Sequence, residues 1–185
     1  MPQIDHADLV LLVLGAPTAD PNQTSRINGI TRLEKLTFLL DQDSRFREVA
    51  DMPTEPLHFR AYHYGPYTRE IYDAVEMLVS IGLIDEHRHS SRSSLEVAEE
   101  ISELDGGDLG ILGAQDGPYV ERIFELSDRG QYVANVLAKR VGDDAVAEIS
   151  LVKDKYGGLP LRQLLRYVYA EHPEMTVRSR IKDKL

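Results

Sequence analysis

The chain has 185 residues, no cysteine and a formal net charge of −10, a length that buries a core without disulfides or metal. The missing thiols exclude a disulfide framework, a thiolate zinc site and a cysteine nucleophile, and they fit a reducing cytoplasm. The acidic balance excludes a protein whose whole surface traps nucleic acid, because phosphate binding rests on clustered Lys and Arg.

In chain order, IDHADLVLLVL at 4–14 combines apolar residues with helix formers and predicts a first helix with a buried tail. Its apolar run from Leu9 to Leu14 spans six residues and follows Asp5 and Asp8 rather than basic residues, so neither a signal peptide nor a membrane span is expected. From Ala16 to Ile30 the residues Pro, Gly, Asn, Thr and Ser concentrate, which predicts an exposed connection. Thr31, with Glu34 three residues later, reads as a capping box opening a second helix whose apolar surface is Leu33, Leu36, Phe38, Leu39 and Leu40. Pro53 and Pro56 break the chain, and LHFRAYHY at 57–64 alternates as a strand does.

Gly65 then supplies a turn and Pro66 the first position of a third helix, where a missing N–H is harmless. Ile71, Val75, Leu78 and Val79, with Tyr72 on the flank, form its inward face, and Arg69, Glu70, Asp73, Glu76 and Ser80 its outward one. Gly82 ends it as a left-handed cap, and Leu83 and Ile84 enter a strand. The weakly patterned segment 85–119 reads as a wing hairpin enlarged by an insertion, and residues 120–126 as the returning strand. Ser127 caps the next helix, with Asp128 in its first turn. A last amphipathic helix is predicted from about Pro160 to Glu171, and beyond Pro173 a short basic tail remains. The fold expected is a single domain over 1–185, mainly α with a small β wing: a winged helix-turn-helix core with a C-terminal helical extension and basic tail over 151–185.

Four segments, RLEKLTFLL at 32–40, YHYGPYTREIYDAVEMLVSIGLI at 62–84, FELSDRG at 124–130 and LLRYVYAEHPEMT at 164–176, together resemble the YwgA-like winged-helix family of bacteria and archaea over most of the chain. That resemblance implies the fold and brings no established catalytic residues. More loosely, Leu33-Glu34-Lys35-Leu36 and the aromatic-Gly65-Pro66 turn look like the Panacea, or SocA-like, antitoxin domain, whose members neutralise toxins by direct protein contact.

The candidate chemistry is recognition. His87-Arg88-His89 would place two imidazoles on one strand face with Asp85 nearby, but no second HxH, HExxH or cysteine completes a site, so no metal is expected. The glycines from Gly106 to Gly117 lack the strand, the basic residue and the GK[ST] ending of a phosphate cradle, and no GxSxG elbow occurs. No cofactor and no catalytic residues are expected. In the first functional reading Tyr64, Tyr67, Arg69, Asp73 and Glu76 engage a protein partner, tyrosine being a common interface anchor. The other reading of Tyr62, Tyr64, Tyr67 and Tyr72 is that their rings pack the turn against the Thr31 helix.

The alternative function is a transcriptional regulator that binds DNA as a dimer. Thr68 and Arg69 would then meet base edges, with Arg88, Arg92, Arg178 and Arg180 on phosphates. Against it, Glu70, Asp73 and Glu76 would sit near phosphate, and an Arg69–Asp73 pair along the helix leaves the face solvated. Residues 85–125 hold eleven acids against three Arg, and 151–185 eight Lys or Arg against four acids, so a homodimer joined by charge is a further expectation.

Overall fold

The computed structural model describes residues 3–89 and 121–185. Residues 90–119 of the expected wing insertion, Arg92 and Gly106–Gly117 among them, lie outside the described residues. The described chain is mainly helical with a small antiparallel sheet and a separate hairpin. Among the described residues no helix is long and apolar enough to cross a membrane.

Helix α1 (His6–Gly15) opens on a reciprocal cap, in which the Asp8 N–H donates to Asp5 Oδ1 at 2.8 Å and the Asp5 N–H to Asp8 Oδ2 at 3.4 Å. Ala7 and the whole run from Leu9 to Leu14 are buried, because α1 is packed from several sides by later elements. The stretch after it is not irregular throughout. A 3-10 turn at Pro21–Gln23 leads into strand β1 (Arg26–Asn28), which pairs antiparallel with β5 (Glu121–Leu126), Ile27 lying opposite Phe124. Three residues carry too little local preference to declare a strand, and the partner that orders them lies far along the chain.

Helix α2 (Ile30–Asp43) is capped by Gly29 at φ +87° with no side-chain cap, so the expected Thr31–Glu34 box does not form. Every residue from Leu33 to Leu40 is buried, Glu34, Lys35 and Thr37 included. This helix is the spine of the core rather than an amphipathic surface helix. A short helix α3 (Phe46–Val49) follows. Strands β2 (Arg60–Tyr62) and β3 (Gly65–Tyr67) then form an antiparallel hairpin that sets Tyr62 opposite Gly65 and Arg60 opposite Tyr67. Pro66 therefore belongs to a strand, not to the first turn of a helix. The two-stranded hairpin has only edge strands, where a residue without N–H is tolerated. Helix α4 (Arg69–Ser80) starts beyond it, after an extended Thr68.

Helix α4 buries Ile71, Ala74, Val75 and Leu78. It ends at Gly82, φ +71°, with the Gly82 and Leu83 N–H groups donating to Val79 O and Leu78 O. Strand β4 (Ile84–His89) completes a sheet of order β1-β5-β4. Ser127 Oγ accepts the Gly130 N–H at 3.1 Å and starts helix α5 (Asp128–Val141). Gly142 at φ +89° turns directly into helix α6 (Asp143–Tyr156). Helix α7 (Leu161–Glu171) buries Leu161, Leu164, Leu165 and Val168.

The short basic C-terminal tail is folded. A 3-10 turn at Pro173–Thr176 and a second at Lys182–Lys184 flank Ile181, which is wholly buried, and the Arg180 N–H donates to His63 O at 3.0 Å. Burial of Ile181 stabilises by about 1.5–3 kcal/mol, enough to hold a short tail against the hairpin.

Candidate functional site

The tyrosine hairpin is positioned by charge buried beneath it. Glu34 and Lys35 of α2 are 2% and 1% exposed, and Lys35 Nζ donates to Glu34 Oε2 at 2.9 Å. Lys35 Nζ also donates to Pro66 O at 2.6 Å, and the Thr68 N–H donates to Glu34 Oε1 at 2.9 Å. The pair thus satisfies itself while grasping both ends of the segment from β3 into α4. Burial pushes the Glu34 carboxyl upward, against the downward pull of Lys35 and the Thr68 N–H. Above the pair a cleft of about 20 Å³, lined by Tyr62, Tyr64, Tyr67 and Tyr72 among others, has room for about one water.

Gly65 is required twice over in this arrangement. Its φ of +88° suits a residue without Cβ, and a Cβ there would meet Cε1 of Tyr169 at 2.8 Å. Tyr169, from α7, is fixed in turn by a 2.8 Å hydrogen bond between its hydroxyl and Ser179 Oγ. The hairpin is therefore clamped between α2 below and α7 with the tail beside it.

On the outer side the rings form a row. Tyr62 and Tyr67 centroids are 5.0 Å apart, Tyr67 and Tyr72 5.3 Å, and the Arg60 guanidinium lies over Tyr62 at 5.8 Å and Tyr67 at 5.3 Å. Tyr62, Tyr64, Tyr67 and Tyr72 are all half-buried. Burial raises the Tyr72 hydroxyl far above the ordinary tyrosine range, so it stays a neutral donor. The rings line the hairpin where it meets α2 and leave part of their area in solvent.

The α4 face beside this row carries charges that are already matched. Arg69 Nε meets Asp73 Oδ2 at 3.3 Å, on side chains 77% and 66% exposed. Arg122 of β5 forks onto Glu86 at 3.0 and 2.8 Å and reaches Glu76 Oε1 at 2.7 Å, while Arg88 Nε meets Glu86 Oε1 at 3.2 Å. Hydrogen bonding from Arg122 holds the Glu86 carboxyl below its usual range. Met77 and Ile81, both exposed, continue the face past Glu76.

The structure thus brings Tyr64, Tyr67, Arg69, Asp73, Glu76 and Arg88 to one region, joined by Arg60, Arg122 and Met77, which sequence reasoning did not single out. Arg122 had no local signal, since its role follows from a strand register that faces β4 and α4. Thr68 is corrected: at 1% exposure, its N–H on Glu34 and its hydroxyl donating to Glu70, it has no surface to offer a base edge. Arg178 and Arg180 are exposed on the folded tail.

Comparison of the chain with family models, with curated proteins and with solved structures found no match.

Proposed function

We propose that this chain is a winged-helix binding module, non-catalytic and of YwgA-like type, that acts by docking a protein partner on the face built from the β2–β3 hairpin and α4. The element order α1, β1, α2, α4, β4, β5, with β1 and β4 on either side of β5, supports the winged-helix part of this reading. The observation that carries the docking part is the half-buried row of Tyr62 and Tyr67 on the hairpin and Tyr72 on α4, held over a buried ion pair. Rigid aromatic area with polar tips binds at low entropic cost.

DNA binding as a dimer is the second reading, supported by the same element order, since α4 is then the helix that would enter a groove. Against it, Arg69 and Arg88 stand beside Asp73 and Glu86, so each phosphate contact would set a carboxylate against the DNA backbone.

Anisotropy of labelled mixed duplex at about 50 and 200 mM salt separates the two, because phosphate contacts lose about 10³–10⁵ in affinity over that range. The proposal expects no duplex binding at either salt. It also expects a complex, captured from extract of the native cell, that Tyr67→Ala weakens by about 2 kcal/mol, a factor of about thirty, at temperatures well below the variant's own melting midpoint. Salt-steep duplex binding that is abolished by Arg69→Ala with Arg88→Ala and indifferent to Tyr67→Ala would replace it with the regulator.

A further inference from the structure

A second cleft, of about 170 Å³, lies between β1, the 3-10 turn at Pro21–Gln23 and the junction of α6 with α7. It shares no residue with the tyrosine face and is smaller than the ~300–1,000 Å³ of drug-sized sites, closer to a cavity that takes one six-membered ring. Its walls are held before any ligand arrives. Arg32 donates through Nη1 to Gly157 O at 2.8 Å and Leu159 O at 2.5 Å, and through Nε to Asn28 O at 3.2 Å, which ties the α6–α7 junction to the end of β1. Asp154 accepts from Thr18 Oγ1 at 2.7 Å and the Ala19 N–H at 2.8 Å, which ties α6 to the loop carrying Asp20. The Gln23 amide lies on Gly157 and Gly158, so closely that a Cβ at Gly158 would meet Nε2 at 2.9 Å.

Arg26 differs from Arg32 in what it leaves open. Its Nε donates to Asn28 Oδ1 at 3.2 Å, and among the described residues neither terminal nitrogen has a hydrogen-bond or ion-pair partner. Glu125, its neighbour across the ladder, reaches His87 at 3.9 Å. A half-buried guanidinium with two unused donor nitrogens, on a braced cleft that Asn22, Gln23 and Asn28 also line, selects an anion in a protein of net charge −10. Asp20 on the same wall narrows the choice. Its carboxylate is kept ionised by the Gln23 amide and the Asn22 N–H, so a phosphate dianion would set its second charge against it. A carboxylate presents one charge in the planar form the guanidinium matches, and Asp20 with the Asn22, Asn28 and Gln23 amides can take a neighbouring hydroxyl or ammonium.

We propose that this cleft binds a small polar monocarboxylate, a hydroxy acid or free amino acid, with its carboxylate on Arg26. The site goes beyond the docking face and stands or falls without it. The test is a thermal-shift screen of the full chain against the common amino acids and short hydroxy acids, with inorganic phosphate as the contrast, followed by calorimetric titration. At about 100-fold above Kd a true ligand raises the midpoint by about 5–10 °C. Arg26→Gln weakens binding about tenfold to a hundredfold and leaves the unliganded midpoint in place. Arg26→Lys, which keeps the charge and loses the fork, falls between them and serves if the glutamine variant folds poorly. The site is refuted if no acid in the screen shifts the midpoint, if phosphate shifts it as far, or if both Arg26 variants bind as the native chain does.

Discussion

Lys35 and Lys153 are both 1% exposed, yet Lys35 meets a carboxylate and Lys153 two backbone carbonyls, Leu14 O at 2.6 Å and Ala16 O at 3.2 Å. Each joins a helix to something sequence-distant: Lys35 ties α2 to the hairpin, and Lys153 ties α6 to the C-terminal end of α1. The negative end of a helix dipole welcomes a cation, but partial charges offset less of the desolvation than a full one. Burial accordingly lowers the Lys153 ammonium to about 8, with the nearby Asp154 pulling the other way. A buried charge with a counter-charge fixes geometry. One held only by carbonyls is free to become a neutral amine that still fits its place.

The largest expected effect breaks the first of these arrangements. Lys35→Ala strands the Glu34 carboxylate inside the core and frees Pro66 O, and it should lower unfolding free energy by about 3–5 kcal/mol in a denaturant titration. Glu34→Gln keeps an acceptor for the Thr68 N–H and leaves Lys35 unpaired, so it should cost less than the alanine change only if Pro66 O alone can hold the ammonium. A loss below about 1 kcal/mol for Lys35→Ala would mean that the hairpin does not depend on the pair.

The second lysine is best tested by pH. Between pH 8 and 10.5 the folded protein has released the Lys153 proton while the unfolded chain still holds it. The unfolded state then binds more protons, and stability rises with pH across that window. Relative to Lys153→Met, which does not titrate, the native chain should gain about 1–3 kcal/mol as pH climbs through it. Tyr72 and Tyr169, whose hydroxyls burial raises, act in the opposite sense above about pH 10 in both proteins, so the difference between them isolates the lysine. A flat difference would show that two carbonyls solvate the ammonium well enough to keep it charged.

Gly65→Ala probes the same hairpin from its other side. The alanine is strained at φ +88° and presses on the Tyr169 ring, for an expected loss of about 1–3 kcal/mol in thermal or urea melts. If the ion pair is the main clamp, this loss stays below that of Lys35→Ala. The reverse order would make α7 and Tyr169 the chief support.

Helices with caps and a clear apolar stripe were legible in the sequence. The α1 segment, the body of α4 with its Gly82 end, Ser127 ahead of α5, and α7 all follow from local signals that tertiary structure reinforces. What was illegible depended on partners. β1 exists through β5, and the outward-looking dipeptide Glu34-Lys35 is buried because a hairpin folds over it. The α6 segment has a weaker apolar stripe than α7, although Asp143 and Asp144 in its first turn mark its start. Pro66 misled because a Gly-Pro pair opens helices and edge hairpins alike, and the tyrosines that alternate around it were the better guide. At the docking face the residue types were visible, but not their pairing: Arg122 neutralises Glu76 only through the β4–β5 register.

The smallest effect marks the other end of the comparison between paired charges. Arg69 and Asp73 stand one turn apart on α4 at the same kind of distance as Lys35 and Glu34, yet both lie in solvent. Water already solvates each partner, so Arg69→Ala should change unfolding free energy by no more than about 0.5 kcal/mol, and added salt should erase that. The loss on Lys35→Ala, by contrast, should persist in salt, because ions do not enter the core that holds Glu34. Should Arg69→Ala instead destabilise by more than about 1 kcal/mol, the α4 face is a structural element in its own right. The face could then not exchange that pair for a partner's groups at little cost, and docking there would rest on the tyrosine row alone.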